Sequence, residues 1–405
     1  MVDICFINSL FPPDRAGGAE NYVLRTAKAL MRRGHEIAVI TTQDYDGLGS
    51  LRPRQTTVEG VPVWRFYPAN ISHRSDGNPL GFPGKAIWHQ LDTVNPHASR
   101  VVGRLVDDLD PEVVHTNNLM GISTALAHAI QKRDVRHVHT LHDYSLICPK
   151  SNLLREWTAP DDELVVCEDP PAPCRVYGSA KRKLVGQPDV VTAPSQHVID
   201  IHQTHGFFGE TETKRVRLGI EGVAAQPPAE PDQPSVLYVG QHLRAKGLET
   251  LFESVERLNH VDFHFCGTGP DEELTEECVR DNDNATYHGF VSEKRLQQLR
   301  RRVSAGVVPS IWMENSPMTI YESFAVGLPI VGSDIGGIPE LVEDGTRGRL
   351  FEPDNAAALT RVIDDFVADV DTRREMRRNA LNWARGHTID EHVDTLLEDV
   401  YATAR

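Results

Sequence analysis

The sequence lacks any apolar run long enough to cross a bilayer. A membrane-spanning helix needs about 20 consecutive apolar residues, so the sequence excludes a spanning protein. Its first residues, MVDICFINSLFPP, carry no basic region before the apolar stretch. We expect them to form a buried strand and not a signal peptide, and we therefore expect a cytoplasmic protein.

Cysteine is also scarce: six cysteines are scattered through 405 residues, unlike a disulfide framework. Three of them, Cys148, Cys167 and Cys174, share one segment, but no histidine is suitably spaced to complete a zinc site. We expect reduced thiols. The two Asp-x-Asp sequences, Asp44-Tyr45-Asp46 and Asp281-Asn282-Asp283, lie in polar turn sequences that favour aspartate and asparagine anyway, so we predict no metal site.

Positive charge is in deficit. Nine lysines accompany 33 arginines, and the formal net charge is −16 at pH 7. An acidic surface repels polyanions, so nucleic acid is not an expected partner; the same surface would suit a salt-rich cytoplasm. The basic runs at Lys181 to Lys183 and Arg300 to Arg302 are expected on solvated helix faces, with contact to anionic lipid as the alternative.

What the sequence does contain is a repeated alternation of apolar runs and helical patterns. The runs of strand character in the first half are DICFIN, EIAVIT, EVVHTN, RHVHTLH and DVVTAPS. Those of the second half are SVLYVG, VDFHFCG, ATYHGF, GVVPS and PIVGSD. A proline-rich stretch without periodicity, between residues 217 and 235, separates the two halves. We therefore predict an α/β protein of two parallel-sheet domains, at residues 1–217 and 235–385.

The stretch ENSPMTIYESFAVGLPIVGSDIGGIPE places Glu314 and Glu322 eight residues apart, around a Ser-Pro pair. Ser316 is predicted as a helix N-cap and Pro317 as the first helical residue, which directs free N–H groups at an anion such as a phosphate. Carboxylates beside a phosphate can accept hydrogen bonds from sugar hydroxyls. Taken singly, either acid could instead complement the helix dipole or face solvent.

Two further motifs follow strands of the second half. Lys246, in YVGQHLRAKG, is predicted at a helix start, where its ammonium would stabilise a leaving diphosphate; the alternative is an exposed lysine. Gly267 and Gly269, in FCGTGP, allow the backbone to approach a nucleotide closely, although a simple turn explains them as well.

Two motifs follow strands of the first half. Gly17 and Gly18, in GGAE, could pack against a phosphate or sugar, or merely turn the chain. His142, in TLHDYS, could bond a substrate hydroxyl or assist proton movement, with Asp143 fixing its tautomer.

Taken in order, the motifs GGAE, LHDY, YVG with KG, CGTGP, HGFV, VPS, the glutamate pair and GLPIV with GGIPELVEDG resemble the retaining GT-B glycosyltransferases of family four. The resemblance covers nearly the whole chain. It implies two facing Rossmann-like domains with a cleft between them, the first binding the acceptor and the second the nucleotide-sugar. It also implies that a final helix, 386–405, rejoins the first domain.

The resemblance further implies a metal-independent hexosyltransferase that needs no cofactor and works with retention. The donor would be a nucleoside-diphosphate sugar, whose own phosphate accepts the acceptor's proton. The acceptor would be a glycan or a lipid-linked molecule, read by residues 70–96 and the cysteine-bearing segment, with peripheral contact at the inner face of the membrane. The alternatives are a GT-B nucleotide-sugar epimerase and a non-catalytic binding module.

Residue roles follow from the same resemblance. The catalytic set would be Lys246 on the diphosphate, Glu314 on the hexose hydroxyls and His142 on the donor sugar's outer hydroxyl. The residues implied in nucleotide-sugar binding are Gly17, Gly18, Gln241, Arg244, Gly267, Gly269, Phe290, Ser316, Pro317, Met318 and Glu322. Among these, Glu322 would bind the ribose and Phe290 would border the base. Gln241 stands where many relatives carry arginine, which leaves Arg244 as another contact for the diphosphate.

Overall fold

The computed structural model describes residues 2–13, 17–74, 81–156, 164–167 and 169–402. The chain divides into two compact units. The first consists of Met1–Leu153, Cys167–Gly219 and Ile389–Arg405, and the second of Leu154–Val166 and Ile220–Thr388. Among the described residues, no helix is both long enough and apolar enough to span a membrane.

The first unit is built on an eight-stranded sheet. Its strands are β1 (Ile4–Ile7), β2 (Ile37–Thr42), β3 (Arg54–Val58), β4 (Val61–Phe66), β5 (Val113–Thr116), β6 (Arg136–Thr140), β9 (Val190–Ala193) and β10 (Glu212–Arg215). Their spatial order is β10-β9-β6-β5-β1-β2-β4-β3, and every pairing is parallel except that of β3 with β4. A separate antiparallel pair, β7 (Leu154–Glu156) with β8 (Leu164–Val166), belongs to the second unit.

Helices follow the strands as the sequence predicts. Those of the first unit are α1 (Gly18–Arg32), α2 (Phe82–Thr93), α3 (Pro96–Leu109), α4 (Leu126–Ile130), α5 (Ala172–Val185), α6 (Gln196–Thr204) and α14 (Ile389–Thr395), which continues as a π-helical turn at Leu396–Tyr401. Helix α1 buries an apolar face that includes Val23, Ala27 and Leu30. Gly34, with φ +93°, takes the left-handed backbone that ends such a helix.

The second unit is built on a six-stranded sheet that is parallel throughout. Its strands are β11 (Ser235–Val239), β12 (Asp262–Cys266), β13 (Ala285–Tyr287), β14 (Ala305–Val308), β15 (Ile330–Ser333) and β16 (Gly348–Phe351). Its helices are α7 (Leu248–Arg257), α8 (Glu272–Asp281), α9 (Glu293–Arg300), α10 (Met318–Ala325), α11 (Ile338–Val342), α12 (Ala356–Ala368) and α13 (Val370–Arg385). Apolar side chains from β11, β12, β14, α7 and α12 share one buried core.

The strand order of this sheet, β13-β12-β11-β14-β15-β16, locates its ligand site. The chain runs outward from β11 to β13 and then returns to place β14 on the other side of β11. Such a reversal opens a crevice at the carboxyl ends of the two central strands, which is where open α/β sheets bind ligands. The segments after β11 and β14 carry Lys246 and Glu314.

Candidate functional site

Lys246 and Glu314 meet beside this crevice. The Lys246 Nζ lies 2.5 Å from the Glu314 Oε1, although 68 residues separate them in the chain. Lys246 closes a short 3-10 turn, Arg244–Lys246, and is not yet in helix α7, which begins two residues later. Between the turn and the helix, Gly247 has φ +73°, and a Cβ there would overlap the carbonyl oxygen of Pro309. The loop after β11 therefore lies directly on the end of β14.

One carboxylate oxygen of Glu314 accepts three hydrogen bonds. Besides Lys246, the Ser310 Oγ donates to Oε1 at 2.9 Å and the Trp312 Nε1 donates to it at 2.8 Å. The ammonium of Lys246 also lies over the Trp312 ring, 4.7 Å from its centroid. Glu314 is 6% exposed, so these donors offset the cost of burying its charge.

The helix after Glu314 begins later than predicted. Pro317 is the N-cap and Met318 the first helical residue, so the predicted cap at Ser316 is wrong. The Ser316 hydroxyl instead pairs with the Tyr321 hydroxyl at 2.8 Å. The first N–H groups of a helix have no intrahelical partner, so α10 still offers donors to an anion at Met318 and beyond.

The glycine turn after β15 packs against the backbone of Glu314. The Gly337 N–H donates to the Glu314 carbonyl at 2.7 Å. Gly336 has φ +62°, and a Cβ on it would lie 2.7 Å from the Glu314 amide nitrogen and still closer to its carbonyl oxygen. The DIGG sequence therefore permits a backbone contact that fixes the position of the catalytic candidate.

Glu322 lies in the second turn of α10 and pairs with a cation that sequence reasoning missed. The Arg300 Nη2 donates to the Glu322 Oε2 at 2.5 Å, and the Arg300 side chain is fully buried. The prediction of a solvated face is therefore wrong for Arg300, while Arg301 and Arg302 are exposed. The helical spacing indicates this burial, because Arg300 comes four residues after Leu296 and therefore lies on the same, buried face of α9.

The glycines after β12 pack against the chain itself. Gly267 has φ +124°, and a Cβ there would overlap the Gly240 carbonyl oxygen. A Cβ on Gly269 would lie 2.6 Å from the backbone nitrogen of His242. These glycines bring the loops after β11 and β12 together at the same edge of the sheet. The loop after β13 adds Phe290, which is 85% exposed.

Gln241 and Arg244 lie on the loop after β11, and both side chains are exposed. The backbone carbonyl of Gln241 accepts from the Tyr238 hydroxyl at 2.7 Å. The backbone N–H of Arg244 donates to the Asp271 carboxylate at 2.7 Å, and the Arg244 side-chain Nε lies 3.4 Å from the Glu249 carboxylate. A weak exposed ion pair of this kind leaves the guanidinium able to exchange partners.

In the first unit, His142 follows β6 and contacts the end of β5. Its Nε2 lies 2.9 Å from the Asn117 Oδ1, and the Asn117 amide nitrogen donates to the His115 carbonyl, so Nε2 carries the proton. Asn117, and not Asp143 as predicted, therefore sets the tautomer, while the Asp143 carboxylate accepts from the Ser145 N–H at 2.8 Å. Burial lowers the pKa of His142 to about 4, which makes it a neutral hydrogen-bonding group at pH 7.

Gly17 and Gly18 begin α1 after the first strand. The Glu20 Oε2 accepts from the Gly17 N–H at 3.0 Å, so this carboxylate serves the helix N-terminus. Around Gly18, by contrast, no described residue beyond its chain neighbours and its own helix backbone has a heavy atom within 4 Å of the position of a Cβ. Gly18 is the first residue of α1, the helix that follows β1.

All six cysteines are free thiols, and the described residues contain no group of histidine, cysteine, aspartate or glutamate that could hold a metal. Lys181 is fully buried and lies 3.3 Å from the Asp92 carboxylate, which corrects its predicted place on a solvated face. Arg182 and Lys183 are exposed as expected.

Comparison with known proteins places this geometry in context. Residues 17–245 match the family described as glycosyl transferase 4-like domain, and residues 221–383 match glycosyl transferases group 1. The D-inositol 3-phosphate glycosyltransferase of Xylanimonas cellulosilytica is 27% identical, over 96% of this chain and 92% of its own. The MMP α-(1→4)-mannosyltransferase of Mycolicibacterium hassiacum is also 27% identical, over 91% and 90%.

Solved structures agree in fold. The sucrose-phosphate synthase of Thermosynechococcus elongatus has a TM-score of 0.75 at 18% identity, covering 99% of this chain and 98% of its own. Anabaena HepE in complex with UDP has a TM-score of 0.70 at 17% identity, over 98% and 99%. These neighbours confirm the predicted GT-B fold.

Proposed function

The chain belongs to the group 1 glycosyltransferases, and from that premise we propose that it moves a hexose from a nucleoside-diphosphate sugar to a glycan or lipid-linked acceptor, with retention and without a metal. The enzyme class itself is established by the family and by relatives named as glycosyltransferases. The donor, the acceptor and the stereochemistry are the proposal.

The observation that carries the proposal is the contact between Lys246 and Glu314 at the chain reversal of the second sheet. A cation, a carboxylate and the N-terminus of α10 gathered there suit a ligand that combines phosphates with hydroxyls. Lys246 and the helix N-terminus would stabilise the charge that develops as the diphosphate leaves, while Glu314 accepts from hexose hydroxyls.

Two neighbours support a nucleotide donor. Anabaena HepE has been solved with UDP-glucose, and the trehalose-6-phosphate synthase of E. coli with UDP-2-fluoro-glucose. Glu322 would bind the ribose, and the loops of Gly267, Gly269 and Phe290 would border the base. Transfer then needs only the donor's phosphate to take the acceptor's proton. The unprotonated Nδ1 of neutral His142 would accept a hydrogen bond from the sugar's outer hydroxyl.

The acceptor is proposed from the family, with residues 70–96 and the segment of Cys148, Cys167 and Cys174 reading it. Residues 75–80, 157–163 and 168 of these segments lie outside the described residues. A cytoplasmic enzyme in peripheral contact with the inner face of the membrane fits this acceptor class. The named relatives are transferases, which favours neither a GT-B epimerase nor a silent binding module.

The test is donor binding followed by turnover. A panel of UDP-, GDP- and ADP-sugars is screened by thermal shift, where a ligand at 100 times its dissociation constant stabilises by about 2.7 kcal/mol. The selected donor is then incubated with and without EDTA, and hydrolysis or transfer is followed by NMR. We expect one donor class to bind, product formation to resist EDTA, and the anomeric configuration to be retained.

Matched lysine variants check the site. Lys246→Ala is expected to lower turnover at least a hundredfold, because the developing charge loses its cation. Lys294→Ala removes an exposed lysine from the same unit and should leave turnover unchanged. A wild-type protein that binds no nucleotide-sugar, or a Lys246→Ala variant with full activity, would refute the proposed function.

A further inference from the structure

Trp312 differs from the other residues around Glu314 because it contacts both members of the ion pair. Its indole N–H donates to the Glu314 Oε1 at 2.8 Å, and its ring lies 4.7 Å beneath the Lys246 Nζ. Neither the family motif nor helical periodicity assigns it this place. Its only sequence signal is an aromatic residue two positions before Glu314, in the loop that follows β14.

These two contacts act on different atoms. The N–H bond engages one carboxylate oxygen, which Lys246 and Ser310 also engage, so Oε1 is saturated. The second oxygen, Oε2, accepts no hydrogen bond within the part of the chain that the structure describes. Trp312 therefore helps to turn Glu314 so that one oxygen is committed to the protein and the other is available to a ligand.

The ring contact acts on Lys246. A cation over an indole face is attracted by the negative charge of the ring, and the attraction increases when water is excluded. The Lys246 side chain is 23% exposed, so it is partly shielded from solvent. The ring therefore restricts a flexible lysine to one region beside the end of β14, whichever anion the ammonium is bonded to.

We infer that Trp312 is a positioning residue that orients Glu314 through its N–H and Lys246 through its ring. The inference rests on the proposed function, in which Glu314 meets the hexose and Lys246 the diphosphate. The two contacts then support binding of two different parts of the donor. Substitutions that remove one contact at a time can separate them.

The test compares a nucleoside diphosphate with its sugar form, by calorimetric titration. The pair is the nucleotide-sugar of the UDP-, GDP- and ADP-sugar panel that the wild-type chain binds, such as UDP-glucose, and the matching nucleoside diphosphate. Trp312→Phe keeps an aromatic face but loses the N–H, so we expect unchanged affinity for the diphosphate and about tenfold weaker affinity for the sugar form. Trp312→Leu loses both contacts, so we expect the affinity for the diphosphate to fall as well.

A purely structural role would weaken both ligands equally in both variants, and that outcome would overturn the inference, as would unchanged affinities. The control is Trp383→Phe, which alters a half-buried tryptophan of the same unit that packs on Tyr321 and His387. It should change neither affinity. If the wild-type chain binds no nucleotide-sugar of the donor panel, the proposed function fails instead, and the two failures are distinguishable.

Discussion

At the scale of single residues, the guanidinium of Arg300 is fully buried and paired with the Glu322 carboxylate. A buried charge that loses its partner is costly, whereas removing both partners together costs much less. The pair therefore makes the stability of the second unit depend on both residues at once.

We predict that Arg300→Met lowers the free energy of unfolding by about 3 kcal/mol, since the buried ion pair of Arg300 with Glu322 is broken. The measurement is urea denaturation followed by circular dichroism. Arg301→Met is the matched control, because Arg301 is exposed and should change stability by less than about 0.5 kcal/mol.

The double variant Arg300→Met with Glu322→Met should recover much of the lost stability. A single Arg300→Met variant as stable as wild type would show that Glu322 does not depend on this cation.

Sequence reasoning at this scale found the residues but not their partners. The glutamates stand out because their spacing brackets a helix start, and Lys246 because lysine is scarce. The contact of Lys246 with Glu314 joins two loops 68 residues apart, so only the order of the strands could reveal it. The sequence predicts Arg300 on a solvated helix face because a run of three arginines is typical of one.

At the scale of elements, apolar runs identified the central strands of both sheets. Strand β1 is buried along its whole length, so its sequence is continuously apolar. The edge strands β3 and β10, by contrast, were missed, because RQTTV and ETKR are polar and largely exposed. The sequence predicts the start of α10 one residue early, because Ser-Pro is typical of a cap followed by a first helical residue, whereas Pro317 is the N-cap and the Ser316 hydroxyl pairs with Tyr321.

The close packing of the turn after β15 on Glu314 leads to a prediction for Gly336. Gly336→Ala should abolish the thermal shift caused by a nucleotide-sugar, because the added Cβ displaces the backbone of Glu314. The left-handed backbone adds strain of about 1 kcal/mol.

Gly222→Ala separates strain from displacement. Gly222 has a similar φ of +71°, but within the described part of the chain no heavy atom other than those of its chain neighbours lies within 4 Å of a Cβ placed there. It should lower the melting temperature slightly and leave ligand binding intact. Equal loss of binding in both variants would mean that backbone strain alone, and not contact with Glu314, disables the site.

At the scale of the whole molecule, the chain carries buried neutral histidines that respond together to acid. Burial lowers the pKa values of His137, His202 and His392 to about 4. In the unfolded chain a histidine titrates near 6.5, so the unfolded state binds more protons as the pH falls below that value. Stability is therefore complete above about pH 6.5 and is lost as the pH falls toward 4.

We expect the free energy of unfolding to fall between pH 6.5 and 4.5 by about 1.4 kcal/mol per pH unit for each such histidine. Urea denaturation at intervals of half a pH unit measures the slope. His202→Leu should reduce the slope, whereas His128→Leu, at an exposed position, should not. A slope that His202→Leu leaves unchanged would exclude His202 from the acid response.

The ion pair of Lys246 and Glu314 also bears on how a reaction cycle ends. In the structure, the Lys246 ammonium is paired with the Glu314 carboxylate. Under the proposed function, a departing nucleoside diphosphate does not leave a bare cation behind, because Glu314 takes its place. Product release becomes an exchange of one anion for another, which lowers the barrier of a step that limits turnover in many enzymes.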